Sequence, residues 1–564
     1  MMSKLKNNKL VVMVALVLLF SLVLVSCTSA GAPSTPEPAA EAVEEPAAEP
    51  EKAEVEEPAE EPAEAEPLIV NMSVAPGTLD PAWAVDGAEF IQNFYVRLTQ
   101  YPIVEKEDGT FKTDPTLPME PYFAESWDIS EDGTEYTFHL HEGAVFPSGE
   151  PVNAEAVKYS IDRITGMDTV GAYYLIDGIY DPYLIQSVEA VDDYTVVIKL
   201  SIPNPNFLED LTMPAGSILD PSVVEANGGW EPYEVNEYVA SHAFGSGPYL
   251  LEEYEPNVKA VLAANPDYFG DPPGAEKIIV NFINQDETLL LQARSGAADV
   301  TIGLSPQSVA SLEDDPNVKI TANETTYAHR FGMANTKPPL DNVKFREALT
   351  HAVPYEAIIE NVAFGYGDLY YGPFPPTMGE YNPDIATPRE YDIEKAKALI
   401  EESGVETPVD IEVVFQEGNT THEQILTILQ GEFSKIGVNL ILKQLAAADF
   451  TNAVEGHEAQ AHMRYDGTGV YDAGYFMGFD MVCALMDSYN VNEICIPGAD
   501  DIIWEARQEL DPEKRQEKWD QIQQMWVDNS PFIPVYLDVN TTVLADDIKE
   551  FVWSHMQELR FISK

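Results

Sequence analysis

The chain has 564 residues, with 96 Asp and Glu against 31 Lys and Arg, for a net charge of −65. So acidic a chain excludes nucleic acid as a partner, because phosphate binding needs a basic face. A length of this order exceeds one hydrophobic core and implies at least two lobes.

The first residues read as a leader. Lys4, Lys6 and Lys9 make a basic start, Leu10 to Val25 is apolar apart from Ser21, and the small Ser26 precedes Cys27. That is the layout of a secretory signal peptide, and the apolar run is shorter than the roughly 20 residues of a membrane span. The ending Leu24-Val25-Ser26-Cys27 looks like a bacterial lipobox, in which Cys27 becomes the lipidated first residue. The other reading is an uncleaved N-terminal anchor. Both put the remainder outside the cytoplasm, held at a membrane surface.

Residues 28–66 hold 13 Glu, one Lys and many Pro and Ala. With little to bury, such a stretch does not offset the entropy of ordering. Its prolines and self-repulsion extend it. At about 3.1 Å per residue it reaches on the order of 120 Å when fully extended. A tether that holds a folded body off the membrane is the expected role.

The body begins near Pro67. Tyr194, Val196, Ile198 and Leu200 alternate onto one face, as in a strand. "KIIVNFI" (277–283) is a second strand. Asp286 to Arg294 reads as a helix with Asp286 as its N-cap and Gly296 as its stop. "ADVTIGL" (298–304) closes a β-α-β unit, which favours a parallel sheet. The same order returns later: a helix from Asp392 through Glu402 ended by Gly404, and a strand over 409–415. A helix follows with a capping box at Thr421-His-Glu-Gln424, Ile425, Leu429 and Phe433 on one face, and Gly437 at its end. "VNLIL" (438–442) is the last strand. Two separated α/β regions therefore predict two sheets flanked by helices, with a cleft between lobes as the natural ligand site.

Cys483 and Cys495 are the only thiols after Cys27. Outside the cytoplasm they are expected to pair. Catalytic patterns are poor. The chain has no Gly-x-Ser-x-Gly elbow, no phosphate-cradling loop and no His-Glu-x-x-His. "SHAFGSGPY" (241–249) reads as a turn rather than a nucleophile site. His139 and His141 share a strand face without a third ligand, so they read as surface residues and not a metal site. No catalytic residue, cofactor or metal is expected.

Several stretches, in order, resemble the large solute-binding proteins of bacterial ABC importers, the family of dipeptide, oligopeptide and nickel binders. "GTLDPAWAVDGAEFIQNFYVRLTQY" (77–101) is similar to the family's opening strand and helix. "AESWDISEDGTEYTFHLHEGAVFPSGEPVNAEAVKYSIDRI" (124–164) is similar to its signature region. "GSGPYLLEEYEP" (245–256), "NTKPPLDNVKFREALTHAV" (335–353), "YGPFPPTM" (371–378) and "SPFIPVYL" (530–537) follow in family order. The resemblance implies an α/β, two-lobed periplasmic-binding-protein-like fold of the large three-subdomain type. Lobe I would hold 68–330, with an inserted subdomain near 111–240, plus a C-terminal return over 535–564. Lobe II would hold 331–534, with a hinge near Phe331 and Pro534. It also implies a monomer that captures a solute, an oligopeptide-like one first, and delivers it to ABC permease and ATPase subunits. An oligosaccharide, a cationic metabolite or a sensing role are the alternatives.

Peptide-binding members carry a Trp-x-x-Asp-x-x-Asp-Pro stretch whose first Asp pairs with the peptide ammonium. Here it aligns with "DGTGVYDA" (466–473). Asp472-Ala473 falls on Asp-Pro, Gly469 on the ammonium-pairing Asp, and Asp466 on the Trp. The Arg that dipeptide binders place after the 409–415 strand is replaced by Gln416-Glu417-Gly418. Both charged anchors are missing, and unpaired zwitterion ends in a dry cleft are costly. Aromatic faces offer another grip, among them Trp83, Tyr173, Tyr327, Tyr370, Tyr371, Tyr471 and Tyr475. The expected ligand-binding residues are Trp83, Asp86, Gln416, Glu417, Asp466 and Tyr471.

Overall fold

The computed structural model describes residues 66–84, 88–106, 109–176, 183–467, 469–486, 488–554 and 558–564. The leader, Cys27, nearly all of the tether and Asp86 lie outside the described residues. Among the described residues, no helix is long and apolar enough to cross a membrane.

One sheet of 11 strands organises the body. Its first half runs Tyr249–Glu255, Lys259–Ala264, Lys277–Phe282, Leu68–Met72 and Val300–Ile302. Its second half runs Ala461–Asp466, Val409–Gln416 and Val438–Leu445. Between them lie two long antiparallel strands, Val318–Met333 and Phe532–Ala545, with Gly367–Asp368 added beside the latter. The first β-α-β unit is parallel as read, but Leu68–Met72 is inserted between its two strands and pairs with both. The second is parallel and direct, with Val409 opposite Val438. The expected two sheets are thus one. Hydrogen bonding is continuous because the two long strands serve both halves: Ile320 faces Val543 in the first, and Phe331 faces Ile533 in the second. Their register shifts between Glu324 and Ala328, at the join.

A separate four-stranded antiparallel sheet, Ala124–Ile129, Glu135–Leu140, Thr195–Leu200 and Ile185–Asp192, packs under the helix Ala154–Met167. Val196, Ile198 and Leu200 are buried there, as their alternation requires. Local signals mostly place the elements. Asp392 accepts from the Lys395 N–H at 2.9 Å to start helix Ile393–Ser403, and Gly404, at φ +71°, ends it. Two caps differ from expectation. The helix Thr420–Ser434 is capped by Asn419, which accepts from the His422 N–H at 2.9 Å; a capping oxygen two residues earlier starts the helix before Thr421 can cap it. Asp286 lies inside helix Asp286–Ser295, and its carboxylate accepts instead from Ser305 and Ser308. In "SHAFGSGPY", Gly245 and Gly247 lie against the Phe94 backbone so closely that a Cβ would sit within 2.4 Å of it.

Apolar side chains gather into distinct cores. One lies on the four-stranded sheet and helix Ala154–Met167, and a second on the first half of the large sheet. A third lies on the second half, and a fourth joins Tyr371, Phe374, the helix Ala473–Asp480 and the helix Pro512–Asn529.

Candidate functional site

The first and fourth cores meet along a seam, and the side chains there come from two short stretches. On one side, the Asn204 side-chain Oδ1 accepts from the Asn206 N–H and its Nδ2 donates to Asp210, each at 2.9 Å. This fixes the short helix Phe207–Asp210; its Phe207, and Leu211 just after it, are buried in the first core. On the other side, Asp472 caps helix Ala473–Asp480 through the Gly474 N–H at 2.6 Å. That cap fixes where Gly469–Tyr471 enter the helix.

Glu209 joins the two sides. Its carboxylate accepts from the Tyr101 hydroxyl at 2.7 Å and from the backbone N–H of Tyr471, while the Tyr101 and Tyr471 rings meet edge to face at 5.8 Å. Glu380, beside them, is buried too. Among the described residues, neither Glu209 nor Glu380 forms an ion pair. Burial pushes the Glu209 carboxyl up to about 8; the Tyr101 hydrogen bond opposes this and the Asp472 charge adds to it. Burial pushes Glu380 up to about 7, again with Asp472 adding and Arg515 opposing.

Next along the seam, Met213 packs with Val470 and Tyr475. A Cβ on Gly469 would lie 2.7 Å from the Met213 Cε, so Met213 fills the space beside Gly469. An aromatic row continues from there: Tyr475 on Phe479 at 4.9 Å, Phe479 on Tyr489 at 5.3 Å, and Tyr489 facing Tyr173 of the opposite side at 6.5 Å. Tyr173 and Trp83 both border the first core. Trp83 follows a turn that Asp80 anchors: the Trp83 N–H donates to the Asp80 carbonyl, and the Asp80 carboxylate is gripped bidentately by Arg163 at 2.8 and 2.6 Å. The Trp83 indole N–H is buried and has no acceptor among the described residues.

The structure scatters the remaining candidates. Asp466 ends strand Ala461–Asp466 and faces Arg330 at 3.5 Å and Arg464 at 3.4 Å. Burial opposes its ionisation, but the two guanidinium groups hold its carboxyl below the ordinary value. Arg330 also pairs with Asp480 at 2.9 Å and is sandwiched between the Phe476 and Phe532 rings. Gln416 and Glu417 are exposed at the end of strand Val409–Gln416, where Gln416 faces Leu445. Tyr370 and Tyr371 are core residues, Tyr371 meeting Trp526 edge to face and bonded to Ser530. Tyr327 stacks on Tyr465. Cys483 and Cys495 are joined in a disulfide, in the loop that carries Tyr489. His139 and His141 stand beside Asp128 and Glu125 at the surface. Among the described residues, no group of three or more His, Cys, Asp or Glu is placed to hold a metal ion.

Glu209, Glu380, Tyr101 and Met213 were missed by sequence reasoning. In a chain this rich in carboxylates, one more acidic residue carries no signal. The stretch "PNPNFLED" announces a turn and a short helix, not what that helix faces.

Two α/β lobes joined by a pair of long strands, with a buried seam between them, make the build of a two-lobed binding protein. The chain belongs to the bacterial extracellular solute-binding proteins, family 5: residues 118–483 match the family's middle region. It is 28% identical over 470 residues to a dipeptide-binding protein of Escherichia coli, covering 80% of this chain and 85% of that one. It is 27% identical over 501 residues to heme-binding protein A of Haemophilus influenzae, covering 85% and 88%. The solved structure of HbpA2 from Haemophilus parasuis superposes with a TM-score of 0.75 at 26% identity, covering 88% of this chain and 99% of that one.

Proposed function

We propose that this protein is the capture component of an ABC importer, which closes its two lobes over an oligopeptide-like solute and delivers it to the permease without chemistry. The seam carries this reading: residues of two separate cores meet there through a hydrogen bond at Glu209, a filled gap at Met213 and an aromatic row from Tyr475 to Tyr173. A solute held there touches both lobes only when they are closed, so it favours that state. The relatives named for dipeptide binding support a peptide-like solute.

The grip differs from an end-anchored zwitterion. Gly469 offers no carboxylate, and Asp466 is engaged by Arg330 and Arg464. Side-chain contacts with Trp83, Tyr173, Tyr471 and Tyr475 take their place, and the unsatisfied Trp83 N–H is a donor for a solute carbonyl. Lobe I comprises 68–330, with the subdomain over about 111–240, and the return 535–564; lobe II comprises 331–534. The register break at Glu324–Ala328 favours a pivot a few residues before Phe331. Cys27 carries the lipid, the acidic tether leashes a monomer outside the cytoplasm, and the partners are the permease and ATPase.

A thermal-shift screen of the protein against peptides of two to eight residues, oligosaccharides and polyamines tests this. A solute at 100 times its Kd stabilises by about 2.7 kcal/mol. Peptides with apolar side chains are expected to raise Tm, with end-blocked peptides losing little. Shifts from sugars or polyamines alone would overturn the peptide assignment.

A further inference from the structure

The seam holds three carboxyls with no ion pair to Glu209 or Glu380 among the described residues. Glu209 comes from the first core, and Glu380 and Asp472 from the fourth. The groups that act on Glu209 are Tyr101, Tyr471, Asp472 and Glu380; within its own helix, Asp210 is bonded to Asn204. Those that act on Glu380 are Asp472, Asn206 and Arg515. Around Tyr471, two further carboxylates, Asp114 and Glu324, contribute their charge. Of all these only Arg515 is cationic.

The hydrogen bond from the Tyr471 N–H to Glu209 crosses the seam, and the buried Glu380 lies close enough for its charge to act on Glu209. Closing it therefore takes two carboxyls out of water and brings them beside a third. Desolvation and like charge both oppose ionisation there, whereas an open seam returns both groups to solvent.

We propose that Glu209 and Glu380 form a proton-operated latch between the lobes, closed while both carboxyls are neutral and released when they ionise. This rests on the capture-by-closure reading and adds to it that closing takes up protons. The sign follows from linkage: a group that is harder to ionise in the closed state favours closure fully below its ordinary value, and that preference is lost as pH rises through the raised one. Capture is thereby strongest in mildly acidic surroundings and weakens above neutrality.

Hydrogen exchange of the segment 469–476 in the full-length protein, without added solute, reads the latch directly, because the Tyr471 amide is one of its bonds. With intrinsic rates divided out, protection of that amide is expected to fall on the order of tenfold or more between pH 6 and pH 9. Amides of the core strand Val409–Gln416 should keep theirs. In Glu209→Gln with Glu380→Gln, the pH 6 protection should persist at pH 9. If the double variant loses protection in that core strand as well, the two single variants carry the comparison, each retaining part of the pH dependence. Protection that is flat with pH in the unaltered protein, or a fall that is undiminished in the variants, overturns the latch. The capture reading is separate: it fails if none of the screened peptides raises protection of 469–476 at pH 6, whatever the pH dependence.

Discussion

Asp80 and Glu209 are both buried, yet they are held in opposite ways. Asp80 meets a guanidinium: Arg163 grips both carboxylate oxygens, and both side chains are 0% exposed. Glu209 meets only neutral donors, the Tyr101 hydroxyl and the Tyr471 N–H, and its neighbours Asp472 and Glu380 are acids. The difference is one of place. Asp80 ties the turn before Trp83 to a helix of its own lobe, a contact that need never open, so a full ion pair with matched geometry suits it. Glu209 faces the Tyr471 stretch across the seam. A strong buried ion pair there would lock the seam, whereas a neutral acid leaves a bond that water and pH can undo.

The largest effect should come from breaking the compensated side. Asp80→Ala strands Arg163 in the interior and should cost about 3–5 kcal/mol, read from urea unfolding by tryptophan fluorescence. Next is the staple behind the seam. Cys483→Ser opens a disulfide spanning 12 residues beside Tyr489 and should cost about 3 kcal/mol on the chain-entropy account, read as a lowered Tm under non-reducing conditions.

A smaller effect is expected where Met213 fills the seam. Gly469→Asp adds a carboxylate at the seam, but its Cβ meets the Met213 Cε, so overpacking should cost about 1–3 kcal/mol. Met213→Ala in the same chain should recover most of that loss, a positive coupling in a double-mutant cycle. Additive losses would show that the two residues do not compete for one space. The mildest test is pH. Between pH 6 and 9, each proton released from the seam changes stability by at most about 1.4 kcal/mol per pH unit. Tm of the unaltered protein should decline across that range and Glu209→Gln should flatten the decline. Asp80→Asn should lower Tm without changing its slope.

The local grammar of the chain decided much of the fold. Alternation at Val196, Ile198 and Leu200 placed a strand, Asp392 and Gly404 bounded a helix, and the order of β-α-β units foretold parallel pairing on both halves of the large sheet. These signals act within a few residues, through burial period, capping and φ preference, so they survive being read one segment at a time. The family motifs, also local, gave the two-lobed class. That the two sheets are one was not legible, because the strands Val318–Met333 and Phe532–Ala545 are distant in sequence and their pairing depends on the whole chain closing. The site was least legible of all. Asp466, chosen for its charge, is engaged by Arg330 and Arg464, while Glu209, one acid among 96 acidic residues, spans the seam. Sequence determines which side chains carry charge. Only the tertiary structure decides which of them lose their water and what they meet when they do, because desolvation and Coulomb contact depend on distances between segments that the chain order does not contain.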